Sequence, residues 1–344
     1  MLVGQAKAVA RQWVLEEAGA IPGFTGAFFH GSANWLADDA PLPATSDLDV
    51  IVVLENGEPP WKPGKFVHRG VLLDAAYLPG AQLGAAAEVL GRYHLAGSFH
   101  AASVIADPTG RLTDLQRAVA REYAKREWVR RRCEHARDRI LTAFALRESD
   151  PFPTQVTAWL FPTGITTHLL LAAGLRNPTV RTRYLAAREL LKNYGELDCY
   201  EDLLRLLGCA EMSQARAETH LAALAAAFDA AARVIETPFF FAADISDAGR
   251  PVAIDGSREL IARGDHREAV FWVAATYSRC QLVFHHDAPE LYARFERGYR
   301  ALLGDLGIAS FADLGRRHGE TADFLPRVWE VAERIMAANP GIEG

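Results

Sequence analysis

Asp47 and Asp49 stand one residue apart at the start of a β-branched run, SDLDVIVV (46–53). Side chains alternate across a strand, so both carboxylates face one way with Cα atoms about 6.6 Å apart, while Leu48, Val50 and Val52 face the other. Two neighbouring anions repel, and a divalent cation between them turns that repulsion into binding. Mg²⁺ suits such a pair because it takes hard carboxylate oxygens at roughly 2.0–2.1 Å and completes its octahedron with water and phosphate. A third acid, Asp74, is the only charge in GVLLDAAYL (70–78). A carboxylate in an apolar strand is costly unless it is paired or bound to a cation, and the small Ala76 on the same face leaves room beside it. Gly31-Ser32 follows the apolar run AFFH and precedes a short helical stretch. Glycine lets the backbone approach a phosphate, serine supplies a hydroxyl, and the amides opening the helical stretch offer donors to an anion. Each feature alone has an ordinary reading: aspartates that end a loop, a Gly-Ser turn, an edge-strand acid facing water or an arginine.

The elements that must position these groups are short. Residues 2–18 place Val3, Ala6, Ala10, Trp13 and Val14 at helical spacing before Gly19, which predicts an amphipathic opening helix. Four β-type runs follow, GAFFH at 26, LDVIVVL at 48, GVLLDAAYL at 70 and ASVIAD at 102. Between them lie turns such as ENGEPPWKPGK (55–65) and one helical stretch near 80–92. After ADPTGRL the period becomes helical. TDLQRAVAREYAKREWVRRRCEHARDRILTAFAL (113–146) reads as one long helix capped by Thr113 or Asp114, with further helices near 154–173, 178–194, 199–207, 213–235, 256–263, 266–284, 288–303 and 310–337. The sequence therefore predicts an α+β chain, with a small mixed sheet and flanking helices in residues 1–112 and an all-α part in residues 113–344.

HGS at 30–32, SDLDVIVV at 46–53 and LLDAAYL at 72–78, taken in this order, resemble the DNA polymerase β-like nucleotidyltransferase superfamily. The likeness covers residues 1–112, and the fourteen residues between Ser32 and Asp47 form a slightly longer loop than that family usually has. The resemblance implies a nucleotidyltransferase fold in which Asp47 and Asp49 hold catalytic Mg²⁺. Gly31 and Ser32 would anchor the β- and γ-phosphates of a nucleoside triphosphate. Asp74 would be the third catalytic carboxylate, ligating a second metal and drawing the proton from the attacking hydroxyl. Two metals in such a site stabilise the attacking and leaving oxygens of an in-line displacement at the α-phosphate, releasing pyrophosphate. A mixed sheet followed by helices is also similar, in architecture, to the aminoglycoside nucleotidyltransferases. Some of those take a base from the helical part, and Glu189, Glu196, Asp198, Glu201 and Asp202 form an acidic stretch there from which the sequence selects no one residue.

Composition bounds the partners. The chain has 344 residues, 50% of them apolar and 23% charged, as in an ordinary globular protein. Seven Lys/Arg stand against eleven Asp/Glu in residues 1–112, and 30 against 32 after that, so neither part has the cationic balance that phosphate tracking demands. Nucleic acid is a disfavoured partner. No uninterrupted apolar run reaches the roughly 18 residues of a membrane span, and the N-terminus lacks the basic start and apolar block of a signal peptide, so a cytoplasmic protein without a membrane partner is expected. Cys133, Cys199, Cys209 and Cys280 are widely spaced and read as reduced, mostly buried thiols.

Other clusters read as structure. The basic segment 121–139 has interleaved acids and suits a solvated helix face. GDHREAVFW (264–272) fits a capping box with Asp265 as cap and Glu268 three residues on. His285-His286-Asp287 suits a helix end, since adjacent helical residues diverge by about 100° and cannot share one ion. TPFFFAAD (237–244), Trp159 and Phe161 suit core, Asp107 a turn, and His30 only neighbours the Gly-Ser pair. The sequence thus predicts a Mg²⁺-dependent transfer of a nucleoside monophosphate, AMP by default, from an NTP to a hydroxyl of a small-molecule acceptor held in a cleft between the two parts. The rivals are transfer to a protein or tRNA end, and a non-catalytic nucleotide sensor.

Overall fold

Hydrophobic alternation in the first third of the chain builds a five-stranded sheet. The computed structural model describes residues 1–55, 63–142 and 147–344. Strands β1 (Phe24–Phe29), β2 (Leu48–Leu54), β3 (Gly64–His68), β4 (Val71–Pro79) and β5 (Val104–Ala106) lie in the order β3-β4-β2-β1-β5. The β2–β4 pair is parallel and the others are antiparallel, which makes the sheet mixed. Helix α1 (Val3–Glu16) buries Val3, Ala6, Ala10, Trp13 and Val14, the residues its spacing selected. Ala6, Ala10, Trp13 and Val14, with Leu48, Val50 and Val52 of β2 and Leu73 and Ala75 of β4, form the core on one side of the sheet.

The other side carries Phe28 and Val53, covered by Val89 and Leu90 of α2 (Ala86–Gly91) and by Leu112 and Val119 of α3 (Arg111–Glu122). Asp49 and Asp74 belong to this second face by alternation, at the end of β2 where the strand begins. The helical stretch expected over 80–92 is shorter, a 3₁₀ turn at Gly80–Gln82 followed by α2.

Three sequence expectations differ from the structure. A fifth strand, β3, occupies the end of what reads as a turn; the preceding residues 56–62 lie outside the described residues. The single helix expected over 113–146 is two, α3 and α4 (Arg126–Thr142), and residues 143–146 lie outside the described residues. The break at 123–125 has no Gly or Pro to announce it. Its backbone groups are satisfied from elsewhere: the Arg132 guanidinium donates to Tyr123 O at 2.7 Å, and Glu343 accepts from Arg126 N at 2.9 Å and donates to Ala124 O at 3.0 Å. The start of α3 also differs from the expected Thr113 or Asp114 cap. Gly110 takes the cap position with positive φ, and Asp107 accepts from Thr113 N at 2.8 Å.

Packing divides the described chain into residues 1–132 with 340–344, and residues 133–339. The last strand, β5, ends at Ala106 and α3 begins at Arg111, whereas the division of packing falls within α4, after Arg132.

The second unit is helical: α5 (Phe152–Ala173), α6 (Arg183–Asn193), α7 (Leu197–Leu207), α8 (Gln214–Val234), α9 (Gly256–Ala262), α10 (His266–Asp287), α11 (Pro289–Asp305) and α12 (Phe311–Ala338). These match the expected helices to within a turn or so. Helix α5 is long and apolar enough to cross a membrane by composition, yet 83% of its most apolar window is buried within the protein, as befits a core helix. The four cysteines are buried and unbridged.

The expected capping box at 265–268 is absent. Asp265 makes no cap bond and instead pairs with Arg188 at 2.6 Å and with Arg263, while the buried Glu268 accepts from Arg188 at 2.5 Å and from the Tyr200 hydroxyl. A buried acid gains more from two charged or polar donors than from an end-of-helix amide. The aromatic segment 237–244 is core only in part: Phe241 is buried, whereas Phe240 is 78% exposed.

Candidate functional site

Strand register builds the acidic cluster. In the parallel β2–β4 pair Asp49 lies opposite Asp74, and in the antiparallel β3–β4 pair Asp74 lies opposite Lys65. Paired residues point to the same face, so three neighbouring strands present Lys65, Asp74 and Asp49 in one row. Asp47 precedes β2 by one residue and joins the row by alternation. One carboxylate oxygen from each of Asp47, Asp49 and Asp74 lies within 4.8 Å of the others, a spacing from which all three could ligate one ion.

Lys65 is the site residue that sequence reasoning missed. Its ammonium lies 2.6 Å from Asp47 Oδ2 and also pairs with Asp74 Oδ2, and its side chain is only 7% exposed. Like charges opposite one another in a sheet are destabilising, and the ammonium offsets that repulsion. A signal for it exists. Arg69-Gly70 joins His68 to Val71 with positive φ at both residues, the two-residue hairpin turn that matches strand twist. Counting back from that turn places position 65 opposite 74.

The Gly31-Ser32 pair opens a single four-residue 3₁₀ turn, Gly31–Asn34, rather than a helix whose amides could gather an anion. Its location is nevertheless specific. His30 at the end of β1 donates its amide to Asp49 O at 3.0 Å, and Asn34 donates to Phe29 O at 2.7 Å, so the turn is clamped to the strand that carries Asp49. Gly31 has φ +59°, and a Cβ there would collide with Asp49 Oδ2. Glycine is therefore required twice, for the left-handed backbone and for the carboxylate beside it. We expect Gly31→Ala to lower the thermal midpoint and to weaken divalent-cation binding at least about tenfold, since a displacement worth ~1.4 kcal/mol suffices for that factor. Melting curves with and without the cation measure both effects.

His30 contributes a neutral edge to the site. Its Nδ1 lies 2.6 Å from Ser98 Oγ, and burial pushes its pKa down to about 4 against the opposing pull of Asp74.

In the second unit, Glu196 pairs with Arg334 at 2.5 Å, Glu201 with Arg267 at 2.8 Å and Asp202 with Arg205 at 2.5 Å. These pairs give Glu196, Glu201 and Asp202 a structural role, and Glu189 and Asp198 are exposed. His285-His286-Asp287 ends α10, and Asp287 accepts from Thr237 N at 3.1 Å. Of the basic segment, Arg132 is buried against Tyr123, while Arg121 pairs with its neighbour Glu122 on the surface.

The donor set is chemically consistent. Three hard oxygen ligands fit Mg²⁺ better than a soft metal, and the ammonium of Lys65 marks the place as one where a cation is held. No protein-family model matches the chain, and no curated protein shows significant similarity to it.

Proposed function

We propose that the chain is a Mg²⁺-dependent nucleotidyltransferase of the polymerase β-like fold, moving a nucleoside monophosphate from an NTP to a hydroxyl of a small molecule. The observation that carries this reading is the convergence of Asp47, Asp49 and Asp74, from two adjacent parallel strands, beside a glycine turn too tight for any side chain. A metal bound there would polarise the phosphate under attack and neutralise the leaving pyrophosphate. Asp47 and Asp49 are the residues that would hold it. Gly31 and Ser32 would receive the triphosphate, the first by letting the backbone come close to it and the second through its hydroxyl. Asp74 would stand at the hydroxyl that attacks. ATP is the default donor.

The test is release of pyrophosphate from ATP, GTP, CTP and UTP with a pool of hydroxylated small molecules, with and without Mg²⁺. Release that requires Mg²⁺ and a particular acceptor supports the assignment. Tight ATP binding with no pyrophosphate from any donor and acceptor would make the protein a sensor instead.

A further inference from the structure

We propose that Lys65 serves as a built-in cation of this site, so that without nucleotide the three carboxylates take up one divalent ion, on Asp47 and Asp49, and not two. The inference rests on the metal-site reading above and specifies it: Asp74 is held by protein, and the second ion of a two-metal reaction would have to arrive with the nucleotide.

The position of Lys65 is dictated by the fold. The Arg69-Gly70 turn fixes the pairing of β3 with β4 from His68↔Val71 back to Lys65↔Asp74. Sliding β3 by one residue would turn Phe66 away from Trp13, against which its ring packs at 5.2 Å, and would send it into the acidic row. The ammonium is thus delivered to Asp74 by the same register that builds the core.

Once there it is hard to displace. At 7% exposure Lys65 has exchanged most of its hydration for contacts that include the carboxylates of Asp47 and Asp74, and an ion that took both of them would break two ion pairs of a buried ammonium. Charge points the same way. Three carboxylates and one ammonium leave two negative charges, which one divalent ion neutralises. A second ion would leave a partly buried surplus of positive charge, a state that the low local dielectric penalises. Asp47 can serve both partners, since one oxygen meets Nζ and a carboxylate has a second. Asp49, across from Asp74 and beside Gly31, completes the divalent site.

The experiment counts ions. The full chain, free of nucleotide, is titrated with Mn²⁺ and the free ion is followed by electron paramagnetic resonance, alongside Lys65→Met and Lys65→Arg checked for folding by circular dichroism. We expect one Mn²⁺ for the wild type, one for Lys65→Arg and two for Lys65→Met. Two ions on the wild type overturn the role of Lys65 while leaving the metal site intact, and this count needs no variant to fold. One ion on a folded Lys65→Met also overturns it. No ion on any of the three, together with no Mg²⁺-dependent pyrophosphate release, removes the metal reading itself.

Discussion

Asp49→Asn should reduce Mg²⁺-dependent pyrophosphate release by about 10³-fold while leaving the protein as stable as before, or more so. Asp49 ends the row, opposite Asp74 and pressed against Gly31, and with Asp47 and Asp74 it would be a ligand of an ion shared by the cluster. A metal supplies several kcal/mol of charge stabilisation to a phosphoryl displacement, and losing about 4 kcal/mol corresponds to the stated factor. The stability side follows from sign. Asparagine keeps the shape of aspartate and removes one of three like charges, so the folded state loses repulsion, while the Lys65 contacts to Asp47 and Asp74 persist. A thermal midpoint within a few degrees of wild type, or above it, is expected. A large drop would mean that Asp49 holds the fold together, and the loss of turnover would then say nothing about a metal.

The parts of this architecture that were legible in the sequence are those where short-range periodicity and tertiary packing agree. The five buried positions of α1 follow from spacing alone, as do the alternation of β2 and the shared face of Leu72, Asp74 and Ala76. Lys65 was hidden for a local reason: it closes a stretch rich in Pro and Gly, and such residues announce a turn more loudly than Lys-Phe-Val-His announces a strand. The break between α3 and α4 was hidden for a distant one. Its carbonyls and amides are met by Glu343, more than two hundred positions away, and no pattern within the helix reports that. At Asp265 and Glu268 the sequence carried a true helix-start signature, yet Arg188 and Tyr200 claimed the acids. The helix begins where expected, at His266, for a different set of interactions. The candidate site follows the same rule. Its three acids declare themselves because each is anomalous in its own segment, whereas the cation between them is ordinary until the sheet is assembled.

Lys65→Met should lower stability by about 2–3 kcal/mol in the presence of a chelator, and millimolar Mg²⁺ should restore a large part of that loss. Removing one partner of a buried ion pair typically costs ~3–5 kcal/mol, because the other charge is left in a poor solvent. Here the two acids retain some contact with water, Asp47 at 20% and Asp74 at 14%, so the cost falls at or below the low end of that range. Methionine keeps the length and apolar stem of lysine, which limits the loss from packing. On a unit of this size the change amounts to a midpoint lower by roughly 5–10 °C. The divalent ion separates the two causes of such a shift. A hole in the packing is indifferent to Mg²⁺, but a cluster of carboxylates stripped of its ammonium binds the ion more tightly than before, and whatever binds only the folded state stabilises it by an amount that grows with the ratio of ligand concentration to Kd. The variant should therefore gain several degrees more from Mg²⁺ than the wild type gains, and Lys65→Arg should behave like wild type. Equal gains in Lys65→Met and wild type would show that the ammonium and the metal do not share these three acids.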